Sequence, residues 1–263
     1  MWSIPSRLPL LAIALLLLIG ETAFAEEFRV DSQVFVGRET KPHSTNATLF
    51  QGAHVFDFLD HPRQVTIYDL ARGRVVLVNP FRKVKSEVSQ AMLDAFCDNL
   101  HRAESETTDP VLRFALEPRF EESAAEGDGE RVFSSKHISY RIKPLADSSA
   151  GLASAYRKFS DASARLNAFV NRGSLPPFPR LVVNEALAKT GQLPAEVHLT
   201  VSPGGLSVGR TVVLKSKHEY RWRLLDSDLR MIDEAGEVLA QAALVPLAEY
   251  LRQGKQMNAD ADR

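Results

Sequence analysis

The chain has 263 residues, of which 44% are hydrophobic and 25% charged, ordinary globular values and enough length for one large domain or two small ones. Lys and Arg (32) nearly balance Asp and Glu (33), and the formal net charge of −1 argues against a protein built on a basic nucleic-acid face. One cysteine, Cys97, leaves no internal disulfide framework, so the fold rests on its core.

Residues 1–25 read as a cleavable secretory leader. Arg7 gives a thin positive start, Leu10 to Ile19 is an unbroken apolar run, and Gly20 breaks it. Ala23 and Ala25 occupy the −3 and −1 positions of a cut after Ala25. The run is shorter than the about 18–20 residues of a spanning helix, so no integral membrane segment is expected after cleavage. Glu26 and Glu27, rather than a lipid-accepting Cys, follow the cut. The expected location is the periplasm or the extracellular medium.

Strands come next. Phe28, Val30, Val34 and Val36 alternate with Arg29, Asp31 and Gln33, the period of two of a half-buried strand. Thr45 to Leu59 predicts two strands around Gln51-Gly52, and Pro62 separates them from Gln64 to Asp69. Gly73 suits the positive φ of a short hairpin loop. Val75 to Val78 is apolar on both faces and belongs in the centre of a sheet covered on both sides. Lys83 to Val88 returns as another strand. Arg72, Arg74, Arg82, Lys83 and Lys85 cluster here as a solvated face.

The first helix runs from Ser89 to about Glu104, with Met92, Leu93, Phe96, Cys97 and Leu100 as its apolar stripe and Ser89 or Ser86 as cap. Cys97 reads as a buried, inert thiol. Two alternating segments then predict strands: Leu112, Phe114 and Leu116, and later Ile138, Tyr140 and Ile142. Between them the acidic stretch from Glu121 to Glu130 reads as a hairpin loop or mobile segment. A second helix spans Gly151 to Asn171 and ends at Arg172-Gly173. Ser174 to Pro179 is a stiff connector, followed by a short helix from Pro179 or Arg180 to Lys189. Val197, Leu199 and Val201 mark a strand that turns at Pro203-Gly204-Gly205 into a second, from Leu206 to Leu224. Asp226 to Gln253 is helical, interrupted near Gly236 and Pro246.

Strands joined by short turns, with helices arriving in batches, predict an α+β fold. The expected architecture is a curled, half-barrel-like antiparallel sheet of about eight to ten strands with helices on one face. Residues 26–253 form one domain with a helical insert at about 148–191, and 254–263 a disordered tail.

No motif assigns catalysis. Gly205-Leu206-Ser207-Val208-Gly209 spells G-x-S-x-G but enters a strand instead of a helix, and no His follows Asp226 or Asp228. The seven His are scattered, without ligand-pair spacing. His54 and Asp57 fall on opposite faces of one strand. Asn46-Ala47-Thr48 is a glycosylation sequon of high chance frequency. No catalytic residue, metal ligand or cofactor is therefore expected. The aromatics remain. They form an ordinary sheet–helix core, or they line a cavity between the curled sheet and its helices. Under the second reading the candidate ligand-binding residues are Phe56, Phe58, Tyr68, Phe114, Tyr140, Tyr220 and Trp222, and the partner is a lipid or other apolar small molecule.

The stretch Val65-Thr66-Ile67-Tyr68-Asp69, through Arg74-Val75-Val76-Leu77-Val78-Asn79-Pro80, to Lys83-Val84-Lys85 reads as strand, turn, strand and return. In an exported chain that opens with a β-meander, breaks for helices and ends in a hairpin, this pattern resembles the periplasmic lipoprotein-carrier proteins. That resemblance covers about half the mature chain. It implies a half-open barrel with helices as a lid and acyl chains bound inside. The functional expectation is an exported, non-enzymatic binding protein for an apolar ligand. The alternatives are an exported hydrolase with an unrecognised site and an envelope protein–protein interaction module.

Overall fold

The computed structural model describes residues 27–61, 63–103, 107–124, 129–145, 150–171, 173–202 and 211–252. The expected leader, the Pro203-Gly204-Gly205 turn, Ser207 and the tail at 254–263 lie outside the described residues.

Six strands form an antiparallel meander: β1 (Glu27–Val36), β2 (Ser44–Gln51), β3 (His54–Leu59), β4 (Gln64–Asp69), β5 (Arg74–Asn79) and β6 (Val84–Ser89). Two of its turns are built by buried side chains. Asp69 accepts from the Arg72 amide at 3.1 Å, and Asn79 from the Arg82 amide at 3.0 Å, each side chain folding the chain back three residues on. Gly73 stands at φ +57°, as its place in the loop requires.

Helix α1 (Gln90–Arg102) follows, capped by the Ser89 hydroxyl, which accepts from the Met92 amide. Then come α2 (Pro110–Leu116), β7 (Glu121–Ala124), β8 (Arg131–Ser134), β9 (Ile138–Pro144), α3 (Ala150–Val170) and α4 (Phe178–Lys189). The chain ends its described part with β10 (Pro194–Val201), β11 (Val212–Arg221), α5 (Asp226–Gln241), the short β12 (Ala243–Leu244) and a helical stretch at 247–252.

The twelve strands of the described residues join one sheet in the order β12-β6-β5-β4-β3-β2-β1-β11-β10-β9-β8-β7. Every pairing is antiparallel except β12 with β6. The sheet curls but does not close, giving the expected α+β class with two more strands than expected. The additional ones are short. β7 falls in the stretch read as a loop, β8 directly after it and β12 in the stretch read as helical, while the strand expected at 112–116 is absent.

Three expectations need correction. Leu112, Phe114 and Leu116 stand on α2, not on a strand: Pro110 starts the helix, and the Asp109 carboxylate accepts from the Val111 and Leu112 amides. In seven residues, two turns of helix and a period of two look alike. Helix α5 also runs through Gly236 without a break, with open space beside that residue. And helices cover both faces in part. Helix α3 packs on the inner face over Phe28, Phe50, Tyr68 and Val75, whereas α5 sets Ile232 and Ala235 on the outer face over Leu49, Phe56, Ile67 and Val76. Strand β5, apolar on both sides, is accordingly covered on both. At the far end, α2 and α4 bury Ala115, Val183 and Leu187 against Phe133, Ile138, Ile142 and Val197.

Candidate functional site

Between the inner face and α3 lies a partly open cavity of about 740 Å³, within the range of about 300–1,000 Å³ typical of ligand pockets. Its floor follows from register. Cross-strand partners share a face, so Val30 sits between Thr48 and Tyr220, Ser32 between Asn46 and His218, and Val34 beside Ser216. Asp57 continues the row beyond Thr48, and on the other side Val197 meets Ser216 and Leu199 meets Leu214 and Tyr140. The roof is α3, through Tyr156, Phe159, Ser163 and Asn167, and one wall is the 173–177 connector with Arg180 of α4.

Most of the wall is aliphatic or aromatic, but a polar belt crosses the floor. Asp57 Oδ1 accepts from Asn46 Nδ2 at 2.6 Å and from Thr48 Oγ1 at 2.8 Å. Burial raises the pKa of Asp57, and these two donors oppose it. Farther along, His218 sits between two hydroxyls: Ser32 Oγ lies 2.8 Å from Nδ1 and Ser216 Oγ 3.0 Å from Nε2. Burial, reinforced by the Arg180 charge, lowers His218 to about 3, so the ring is neutral. Arg180 forms no ion pair among the described residues; it acts electrostatically on Tyr140, Tyr156, Tyr220 and His218. Burial pushes Tyr140 up to about 12. The Tyr220 hydroxyl donates to the Pro194 carbonyl at 2.9 Å. Lys215, the other cation on the wall, is held by Glu196 at 2.8 Å.

The Ser and His side chains of the belt do not form a serine nucleophile with an oriented base. A serine nucleophile needs a base of suitable pKa, oriented by a third group. His218 has both ring nitrogens taken by serines, is held neutral far below its ordinary range, and receives no bond from Asp57, whose oxygen is occupied by Asn46 and Thr48. Among the described residues no group of three or more His, Cys, Asp or Glu could hold a metal ion. Cys97 is buried, and its pKa is raised by burial.

Of the seven aromatic candidates, Tyr140 alone lines the cavity. Tyr68 and Tyr220 lie on the same face but in the core beside it, Tyr68 edge-on to Phe159 and Tyr220 near Tyr156. Phe56 and Phe58 belong to the outer face under α5. Phe114 sits on α2 against Phe120. Trp222 is stacked on Tyr220 at the sheet's end and is 49% exposed. The polar belt was not anticipated as a site. Its signal is a polar residue interrupting an apolar face: Ser32 between Val30 and Val34, Asp57 after Val55, and His218 before Tyr220.

No protein-family model matches the chain, and no curated protein matches it.

The His218 environment gives a pH prediction. The native ring stays neutral down to about 3, whereas the unfolded chain takes a proton near 6.5. Below pH 6.5 the unfolded state binds more protons, so native stability falls as pH falls, by up to about 1.4 kcal/mol per pH unit. Chemical unfolding of the wild type and His218→Gln at pH 7 and pH 5 should show the wild type losing more stability than the variant. An equal loss in both would refute the neutral, buried assignment.

Proposed function

We propose that the protein is an exported carrier or binding protein for a lipid-like ligand, whose apolar part occupies the cavity between α3 and the curled sheet. The observation that carries this reading is the cavity itself: about 740 Å³ of space over a curled antiparallel sheet, roofed by a helix and walled mainly by Val30, Val34, Val197, Leu199, Leu214 and Phe159. A space walled by such groups is suited to an apolar ligand, because burying alkyl surface there is favoured by about 25 cal/mol per Å². The open sheet with a helix across its inner side accords with the resemblance to lipoprotein carriers. The leader-like residues 1–25 support export.

The test uses protein purified after expression of the full chain with its own leader. Native mass spectrometry is expected to give a chain starting at Glu26 that carries adducts of lipid mass. The purified protein should also enhance Nile red fluorescence. Leu199→Arg and Leu214→Arg, each placing a charge in the apolar wall, should remove both signals. A bare chain that leaves Nile red dark would sink the proposal.

A further inference from the structure

The start of α4 gathers positive charge on the cavity wall. Pro176 and Pro177 line the space, and Arg180, also on the wall, follows in the first turn of the helix. That turn holds no acidic residue, and no side chain caps it, although the N-terminal end of a helix dipole favours an anion over a cation. Among the described residues Arg180 makes no ion pair, whereas Lys215, the other cation on the wall, is held by Glu196 at 2.8 Å. What the guanidinium acts on is neutral: the hydroxyls of Tyr140, Tyr156 and Tyr220, of which Tyr156 also takes a hydrogen bond from it, and the His218 ring. Ser174 stands in the same stretch of wall, and its Oγ is buried without a hydrogen-bond partner among the described residues. It lies three residues before Pro177, whose carbonyl accepts from the Arg180 amide at 3.0 Å. Hydroxyl and guanidinium thus spring from one short segment. Asp57 belongs elsewhere: β3 lies three strands from β11 in the sheet, and Asp57 Oδ1 is taken by Asn46 and Thr48.

A cation on an apolar wall without a counter-charge is costly, and so is a buried hydroxyl without a partner. One charge, one hydroxyl donor and a helix N-terminus together match a single anionic group. Resting on the reading of the cavity as a lipid-like site, we infer that its occupant is a long-chain carboxylate, with its head on Arg180 and Ser174 Oγ at the start of α4 and its alkyl chain along Val34, Leu199 and Leu214. The planar guanidinium fork fits the two carboxylate oxygens, and one N–H given to Tyr156 leaves the others for this contact. Rotation about the χ1 bond of Ser174 turns its hydroxyl towards the head, where a carboxylate oxygen has a lone pair to spare. A monoanion balances the one unpaired cation, whereas a doubly charged head would bring a charge that no second cation meets.

Displacement of Nile red from the purified protein tests this with ligands of equal alkyl length, used below their micelle-forming concentrations: laurate, dodecanol and lauroyl lysophosphatidylglycerol. Laurate is expected to displace the dye at a concentration about 10-fold below dodecanol, as one charge-assisted contact implies, and below the phospholipid as well. In Arg180→Gln laurate should fall to the level of dodecanol. In Ser174→Ala laurate should weaken about 3-fold while dodecanol is unchanged. The Tm of that variant should not drop, because the deleted hydroxyl has no partner to lose. Dodecanol's own affinity reports whether each variant retains the cavity, and the wild-type ranking needs no variant at all. Equal displacement by laurate and dodecanol in the wild type would overturn the carboxylate and leave the apolar site standing. A better showing for the phospholipid would overturn it too, in favour of a phosphodiester head. A preference for laurate that survives in full in either variant would overturn the role of that residue. Failure of every ligand and of Nile red itself would remove the lipid reading along with it.

Discussion

Phe50→Ala is expected to cost about 4 kcal/mol of stability, the largest loss of any single truncation considered. Phe50 is 2% exposed, stacks on Phe28 with ring centroids 3.9 Å apart, and meets Phe159 of α3 edge-on at 5.4 Å. It joins the sheet to the helix that roofs the cavity. Truncation removes the ring's transfer free energy and leaves a hole that two stacked elements cannot both close, a combination that costs about 3–5 kcal/mol for a buried Phe. Domains are stable by only about 5–15 kcal/mol, so the variant should unfold at clearly lower denaturant, with a Tm lower by about 10 °C. Phe50→Leu, which keeps most of the volume, should lose less than half as much. A loss under about 1 kcal/mol for the alanine variant would mean that α3 does not depend on this contact.

Asp228→Ala should come close behind, at about 3 kcal/mol. Its carboxylate is fully buried at the start of α5, accepting from Arg29 Nη1 at 2.6 Å and from the Leu225 amide at 2.9 Å. The same Arg29 reaches Asp31, which also takes Arg221. One group thus caps the helix and fastens it to the outer face of β1 and β11. Removing it takes one of two carboxylate partners from a largely buried guanidinium, which keeps Asp31, and leaves the Leu225 amide unsatisfied. Asp228→Asn keeps an acceptor for the amide and should lose less. Burial works against ionisation of Asp228, but the Leu225 amide and Arg29 outweigh it and hold the carboxyl below its ordinary value of 3.8. The contribution is therefore complete above about pH 4 and lost as pH falls through the lower native value. Unfolding at pH 7 and pH 3 should show the gap between wild type and the alanine variant narrowing in acid; a constant gap would count against the ion pair.

Much of this architecture is written locally. The alternation of Phe28, Val30, Val34 and Val36, the two-sided apolar run of β5 and the three- and four-residue spacing of α1 each report a face within one element, and the structure keeps those faces. Helix α2 was illegible because its capping by Asp109 and Pro110 competes with an alternation of equal length. The site was mostly illegible for another reason. Alternation tells which side a residue faces but not which residue of another strand stands beside it. Ser32 looks like a gap in an apolar row until register sets it against His218, 186 residues away. Asp57 looks like a solvated strand position until α3 is laid over it. The aromatic candidates shared the converse problem: Phe56 and Phe58 have the composition of a lining but the parity of the outer face.

The seam between β1 and β11 has a further consequence, for the order of events after synthesis. The meander from β1 to β6 needs only neighbours, and its hairpins can zip as soon as they emerge. The floor of the cavity has no such head start, since its central hydrogen bond links Ser32 to His218. Closing so long a stretch of chain is entropically slow. Until β11 arrives, the first strand presents a bare edge, the kind of template on which foreign strands grow. Assembly of the pocket and protection from aggregation are thus one late step, completed by the same strand.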